Sequence, residues 1–140
     1  MPSTPHLVVD RRRATLEIMA VVIGGAVGTG LRLAADAAVP HSPTQFAAST
    51  LLVNTVGAFL LGLLVAALWP RVPAWARAGL GAGVFGSFTT FSALAVSVVA
   101  LTEAGDVLVA VITIIASLAL GLLAAWAGLA LGGARDRATE

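Results

Sequence analysis

The sequence AGLGAGVFGSFTTFSALAVSVVALT occupies residues 78–102 and contains no charged side chain. A transmembrane α-helix needs about 20 mainly apolar residues, so this segment is long enough to span a bilayer once. Four glycines nevertheless fall within residues 79–86, and Ser, Thr and Phe follow them. Glycine weakens a helix, and backbone groups released inside a membrane are tolerated only where they face protein, water or an ion. The segment therefore predicts a transmembrane helix broken near its middle.

The rest of the chain is equally apolar. Residues 37–70 and 107–134 also lack charged side chains, and a shorter apolar segment covers residues 18–31. Of the 140 residues, 59% are hydrophobic and 11% are charged, whereas a soluble domain has about 25% charged residues. A soluble fold of this size could not bury so much apolar surface. We expect an all-α membrane protein with four transmembrane helices, at about residues 15–35, 46–69, 75–101 and 107–131.

These four helices would form one membrane domain, residues 14–134, between a polar N-terminal tail at 1–13 and a C-terminal tail at 135–140. A cleaved signal peptide is an alternative for the first helix, because Ala35-Asp36-Ala37 fits a cleavage site after an apolar run. Arg32 interrupts the apolar run just before that site. We therefore favour a retained first helix.

The arginines predict how the chain is oriented. All eight basic residues are Arg, and four spans place seven of them on one side of the membrane. Cytoplasmic segments carry an excess of Lys and Arg. We expect a multi-pass protein of the plasma membrane with both termini cytoplasmic. The seven are Arg11, Arg12, Arg13, Arg71, Arg77, Arg135 and Arg137, and the eighth is Arg32 near the end of the first helix.

The ionisable residues argue against several functions. Carboxylates inside the membrane mark proton-coupled transport, and the central parts of these spans contain none. A small four-helix multidrug antiporter is thus a weakened alternative. The chain lacks Cys, and His6 and His41 fall in a terminus and a loop, so we expect no enzyme active site. A GxGxxG pattern at residues 81–86 lacks the preceding strand that dinucleotide binding requires. We also expect no nucleic-acid partner.

Uncharged polar residues within the spans are the remaining candidates. Asn54 lies in the middle of the second helix, and Thr113 and Ser117 share one face of the fourth. Such residues line pathways, but amides also join helices and hydroxyls also bond the carbonyl four residues back. The residues alone leave both explanations open. Three G-xxx-G pairs indicate close helix contacts and a dimer: Gly24/Gly28, Gly79/Gly83 and Gly128/Gly132.

Three sequence motifs together resemble the CrcB/Fluc fluoride channel family. Residues 24–32, GGAVGTGLR, resemble G-G-x-x-G-x-x-x-R in the first helix of that family. Residues 50–59, TLLVNTVGAF, resemble T-L-x-x-N-x-x-G-x-F in its second helix. Residues 86–92, GSFTTFS, resemble the G-G-F-T-T-F-S break in its third. The order and spacing of the motifs agree with the family, and so does the length of four spans.

The resemblance implies an antiparallel dimer with two narrow fluoride pores and a Na⁺ ion at its centre. By position, backbone carbonyls of Gly86 and Thr89 would hold the Na⁺, and Asn54 would be a pore donor. Fluoride is strongly hydrated, so hydrogen-bond donors and the positive edges of aromatic rings must replace its water. We expect the pore to be lined by Asn54, Phe91, Thr90, Leu94, Thr113 and Ser117, with Arg32 at its mouth.

Two departures from the family pattern predict an unusual assembly. The family usually continues T-F-S-x-E after the break, but here Leu94 replaces the second pore Phe and Ser97 replaces a vestibule Glu. Leu has no electropositive ring edge, so this chain alone would not line two complete pores. The arginine bias also opposes the dual insertion that an antiparallel homodimer requires. We expect a heterodimer with an oppositely oriented paralogous subunit.

The predicted function is that of a fluoride-selective channel subunit. It would export fluoride from the cytoplasm down its electrochemical gradient and so lower fluoride toxicity. The alternative within the same family is a non-conducting partner subunit of a fluoride channel heterodimer.

Overall fold

The computed structural model describes residues 11–38 and 48–137, with side chains as far as Ala134. Four helices cover these ranges: α1 (Arg11–Ala38), α2 (Ala48–Ala67), α3 (Ala74–Glu103) and α4 (Val107–Arg137). All four are long and apolar enough to cross a membrane, and no strand occurs in the described ranges. The prediction of an all-α protein with four spans is confirmed. His6, His41 and most of the predicted N-terminal tail lie outside the described residues.

Helix α3 changes geometry along its length. It begins as an α-helix at Ala74–Ala78, continues as a π-helix at Gly79–Phe85, and closes one further turn at Gly86–Phe88. The backbone is then extended at Thr89, with φ −81° and ψ 154°, before the helix resumes at Ser92–Glu103. The break in the third helix is therefore confirmed. The glycines themselves do not form it; they form the wider π-helical turn, and the break follows at residues 89–91.

Glycines allow α1 to pack closely against the first half of α3. A Cβ atom at Gly24 would collide with the carbonyl oxygen of Gly79, and one at Gly28 would collide with that of Val84. On the facing helix, a Cβ at Gly83 would lie 2.9 Å from the carbonyl oxygen of Val21. The two backbones therefore touch directly, as small residues permit in membranes.

The third G-xxx-G pair joins α4 to α2, two helices in extensive mutual contact. A Cβ at Gly128 would collide with the carbonyl oxygen of Phe59, and one at Gly132 would lie 2.7 Å from the Cβ of Ala66. All three pairs thus serve contacts within one chain. The dimer that we inferred from these motifs gains no support from them, because their close-contact faces are already occupied.

Few apolar side chains are buried inside the chain. Val53, Leu94, Leu101 and Ala110 are the buried apolar side chains of the described residues, and most large apolar side chains of α1 and α4 point outward. That arrangement suits hydrocarbon solvent, in which helices gain cohesion from close backbone packing more than from apolar burial. The glycine contacts are therefore expected to dominate stability.

Replacing Gly24 with Ala tests this packing. The new methyl group would meet the Gly79 carbonyl, which is backbone and cannot rotate away, at a cost of about 1–3 kcal/mol. Gly30→Ala is the matched control on the same helix, because nothing lies within 4 Å of its Cβ position. We expect Gly24→Ala to lower the thermal midpoint of the purified protein in detergent and Gly30→Ala to leave it unchanged or raise it. Equal midpoints for the two variants would contradict the proposed importance of this contact.

Candidate functional site

Asn54 joins α2 to the break in α3. Its Nδ2 donates to the carbonyl oxygen of Thr90 at 2.9 Å, and its Oδ1 accepts from the backbone N–H of Thr90 at 2.8 Å. A side-chain amide offers the same donor and acceptor as a peptide group, so Asn54 replaces the helical partners that Thr90 has lost. The structure thus gives Asn54 the helix-joining role. One N–H of its NH₂ group is still available to another acceptor.

Two diverted donors release the carbonyls that we expected to hold Na⁺. In a continuous helix the N–H of Thr90 would bond the carbonyl of Gly86, and that of Ala93 would bond the carbonyl of Thr89. Here the N–H of Thr90 donates to Asn54, and the N–H of Ala93 points to the hydroxyl of Thr90 at 3.5 Å. No other described residue donates to the Gly86 or Thr89 carbonyl.

Released carbonyls of a broken membrane helix can coordinate a hard monovalent cation. The described residues contain no group of three or more His, Cys, Asp or Glu that could hold a metal. A cation at the break would therefore depend on backbone oxygens. The chemistry of Gly86 and Thr89 fits that requirement, although two carbonyls from one chain are fewer ligands than such an ion needs.

Phe91 and Leu94 lie in opposite environments. The Phe91 side chain is 76% exposed, at the outer surface of the chain beside the break, whereas Leu94 is only 6% exposed. They are three positions apart in the sequence, a spacing that places side chains on one face of a regular helix. Phe91 keeps that register, because its dihedral angles are helical and its carbonyl accepts the N–H of Ala95, so the two exposures differ through what packs beside each side chain. A pore that includes Phe91 requires atoms from outside this chain.

The two hydroxyls of α4 also differ. Thr113 is buried and its Oγ1 donates to the carbonyl of Val109 at 2.8 Å, the back-bonding considered above. Ser117 is half-buried and makes no hydrogen bond with a described residue. Neither lines the cavity described next. Ser117 is the better donor candidate of the two because its O–H is uncommitted.

A polar cavity opens beside the break, at the end of α1 opposite to residues 11–13; we call it the Arg32 cavity. Arg32 Nε lies 3.5 Å from Asp36 Oδ2. Arg32 Nη1 and Asp36 Oδ1 are both buried and have no hydrogen-bond partner among the described residues. The hydroxyls of Thr90 and Ser92 lie 2.8 Å apart at the break. The cavity is lined by Arg32, Asp36, Thr50, Thr90, Ser92, Ala93, Val96 and Ser97.

The Arg32 cavity contains residues that sequence analysis did not assign to a site. Asp36 was one of them, and its position four residues after Arg32 on a helix was the available signal. Thr50 and Ser92 both lie in recognised motifs but carried no role. Ser97 lines the same cavity as Asp36. The cavity thus combines one guanidinium, one carboxylate and several hydroxyls, a donor-rich environment suited to a small anion.

These features define a class of protein. Four apolar spans and an interrupted helix beside a polar cavity are typical of membrane proteins that conduct or transport small ions, because irregular backbone at membrane depth occurs only beside protein or water.

Comparison with known proteins identifies the family. A family model described as "CrcB-like protein, Camphor Resistance (CrcB)" matches residues 19–129. The "Fluoride-specific ion channel FluC" of Azotobacter vinelandii is 43% identical over 116 residues, which cover 81% of this chain and 94% of that protein. Proteins of the same name from Pseudomonas fluorescens and Pseudomonas putida are 44% and 45% identical over 117 residues, with the same coverage. The chain belongs to the CrcB/FluC fluoride ion channel family.

Replacing Asn54 with Ala tests the connection between α2 and the break. The change leaves the N–H and the carbonyl of Thr90 without partners inside the bundle, which costs about 1–3 kcal/mol. Thr55→Ala is the control, because Thr55 neighbours Asn54 on α2 and makes no hydrogen bond with a described residue of α3. We expect a clearly lower thermal midpoint for Asn54→Ala in detergent and a small change for Thr55→Ala. A similar midpoint in both would argue against the joining role.

Proposed function

We propose that this chain is a subunit of a fluoride-selective channel that lets fluoride leave the cytoplasm down its electrochemical gradient and so lowers fluoride toxicity. The observation that carries the proposal is the Arg32 cavity, which leads to the Asn54–Thr90 junction in a member of the CrcB/FluC family. The names of its relatives support fluoride as the ion. The cavity offers an anion the Arg32 guanidinium, which Asp36 accompanies, and the junction next to it offers uncharged donors.

The pathway would use donors that the protein already holds in place. Fluoride needs replacement of its hydration shell, and the spare N–H of Asn54 and the hydroxyl of Ser117 are suitable donors. Thr90, Thr113 and Leu94 remain predicted lining residues. The exposed ring of Phe91 would present its positive edge to the ion once a second subunit covers it. Arg32 would raise the local anion concentration at the mouth.

A second subunit would complete the site. Gly86 and Phe91 are both exposed at the break, and lipid cannot satisfy released carbonyls there. An antiparallel partner would place its own break at the same depth. Carbonyls of Gly86 and Thr89 from both subunits would then hold a Na⁺ ion at the dimer centre, where the ion would supply fixed positive charge between the two halves.

The partner we propose is a paralogous subunit with the opposite orientation. Arg13 of α1 and Arg77 of α3 line one cavity at the same end of the bundle, which agrees with the one-sided arginine distribution. Such a bias favours insertion in one direction, with both termini in the cytoplasm and the chain in the plasma membrane. A heterodimer brings two opposite insertions together without requiring one sequence to adopt both.

Fluoride efflux from liposomes tests the assembly. We expect negligible efflux with this chain alone and rapid efflux when it is co-purified with an oppositely oriented paralogue. Phe91→Ala in the active complex should lower efflux by at least about tenfold, as expected for loss of one well-placed stabilising interaction. Thr55→Ala is the control in the same complex. Rapid efflux from the chain alone would reject the heterodimer but retain the channel.

A non-conducting partner is the second candidate, favoured by Leu94 and Ser97 at positions where the family pattern has Phe and Glu. In that case the heterodimer would conduct fluoride only through residues of the paralogue. Phe91→Ala and Asn54→Ala in this chain would then leave efflux unchanged, provided that the complex stays assembled by size-exclusion chromatography.

The Arg32–Asp36 pair predicts whether substitution of each partner raises or lowers fluoride efflux through the active complex. Asp36→Asn removes a negative charge next to Arg32, so the mouth becomes more attractive to anions and efflux at low fluoride should rise a few-fold. Arg32→Gln should lower efflux. Glu103→Gln is the matched control, because Glu103 is exposed at the end of α3 and does not line the Arg32 cavity. Lower efflux in Asp36→Asn than in Glu103→Gln would contradict this role for Asp36.

A further inference from the structure

A second charged cavity lies at the opposite end of the bundle from the Arg32 cavity. It forms where the first turns of α1 meet the first turns of α3, and we call it the Arg77 cavity. Its lining combines two arginines, one glutamate and an aromatic ring with apolar residues: Arg13, Leu16, Glu17, Pro73, Ala74, Trp75 and Arg77. The channel function proposed above uses none of these residues for conduction.

Arg77 has no counter-ion among the described residues. Its side chain is half-buried, and its Nε atom is fully buried without a hydrogen-bond partner. Glu17 lines the same cavity but forms no ion pair with Arg77. A partly buried guanidinium without an anionic partner is costly. A partner from outside the described chain would remove that cost.

The charge of the Arg77 cavity limits what that partner can be. Among its charged residues, the guanidinium of Arg77 lacks an anionic partner in the described part of the chain, so one negative charge would match it. One phosphodiester carries one negative charge, and the planar guanidinium of Arg matches the geometry of its two oxygens. The cavity therefore fits a ligand with a single phosphate group.

An apolar groove extends from the Arg77 cavity into the membrane and indicates a lipid as the source of that phosphate. The groove runs between α1 and the first half of α3, and Trp75 lines both it and the cavity. Trp75 is 49% exposed, as expected for an indole at the level of lipid headgroups. The groove is lined by Ala20, Ile23, Gly24, Val27, Trp75, Ala76, Gly79, Leu80 and Val84, none of them charged.

We propose that an anionic phospholipid occupies this end of the bundle. Its phosphate would bind in the Arg77 cavity, where Arg77 is the direct partner and Arg13 adds charge. One acyl chain would lie in the groove between α1 and α3, with Trp75 at the junction of headgroup and chain. Phosphatidylglycerol has the single phosphodiester and the net charge that this cavity requires.

Lipid binding is measured on the delipidated full-length protein in detergent, by native mass spectrometry and by the thermal midpoint. Dioleoyl phosphatidylglycerol should remain bound and raise the midpoint, whereas dioleoyl phosphatidylcholine and inorganic phosphate should have little effect. Short-chain dihexanoyl phosphatidylglycerol should bind more weakly, because it cannot fill the groove. An equal effect of phosphatidylcholine would reject the charge match. An equal effect of inorganic phosphate would reject the lipid in favour of a soluble anion.

Variants locate the site. Arg77→Gln should weaken apparent phosphatidylglycerol affinity about fivefold, the contribution expected of one basic residue at an anionic surface. Arg71→Gln is the control, since Arg71 is exposed at the same end of the bundle and donates to the carbonyl of Ala67 at the end of α2. Equal affinities of the two variants would overturn the assignment.

A second variant keeps the proposal testable if Arg77→Gln does not fold. Arg77→Lys retains the charge, and its phosphatidylglycerol affinity should lie between that of the wild type and a fivefold loss. Stabilisation by phosphatidylglycerol should also fall as salt concentration rises. A salt-independent stabilisation would contradict the proposal. Because binding and not fluoride flux is measured, failure here leaves the channel proposal untouched.

Discussion

The bilayer offers no water to an interrupted helix, and this constraint determines how the centre of the molecule is built. A continuous α3 would satisfy its own backbone, but the extended residue at Thr89 removes several helical bonds in succession. Asn54 restores the donor and the acceptor of Thr90, and the Thr90 hydroxyl receives the N–H of Ala93. The carbonyls of Gly86 and Thr89 remain without donors as a direct result. The Asn54 amide therefore holds the break in shape and releases the Gly86 oxygen, and the Thr90 hydroxyl releases the Thr89 oxygen. These are the two oxygens that the proposed Na⁺ site requires.

The close approach of α1 to α3 depends on the glycines that precede the break in α3. The glycines at 79 and 83 bring the two backbones into contact, and their π-helical turn rotates the residues that follow. In a π-helix each backbone hydrogen bond joins residues five positions apart, and such turns are often found at functional sites. The glycines thus allow close packing in the first half of α3, while the polar residues that follow them carry the proposed chemistry. The same contact builds the groove that leads away from Trp75.

The sequence alone predicts the four spans and the interruption of the third, because both follow from local composition. The glycines at residues 79–86 do not by themselves place the interruption, because the structure shows π-helical bonding there; the resemblance of residues 86–92 to the break motif does include residues 89–91, where the helix is interrupted. The partner of Asn54 lies 36 residues away, so no local spacing reveals it. Phe91 and Leu94 have the spacing of one helix face, yet Phe91 is exposed and Leu94 is buried, because their burial depends on neighbouring helices that local spacing does not reveal. Asp36 was within reach of sequence reasoning through its spacing from Arg32.

The opposed environments of Phe91 and Leu94 bear on why a partner of different sequence would suit this chain. Leu94 is packed inside the subunit, where its aliphatic side chain adds cohesion but offers no ring edge to an anion. Phe91 projects from the surface of the chain, so its ring would contact side chains of a neighbouring subunit. In a homodimer each pore would then combine one ring with one aliphatic side chain. A paralogue that has an aromatic residue at both positions would supply the missing ring to one pore, so that pore alone would have aromatic edges on both sides of the ion. Sequence divergence of this subunit would be tolerable in that arrangement, because one complete pore would be enough for conduction.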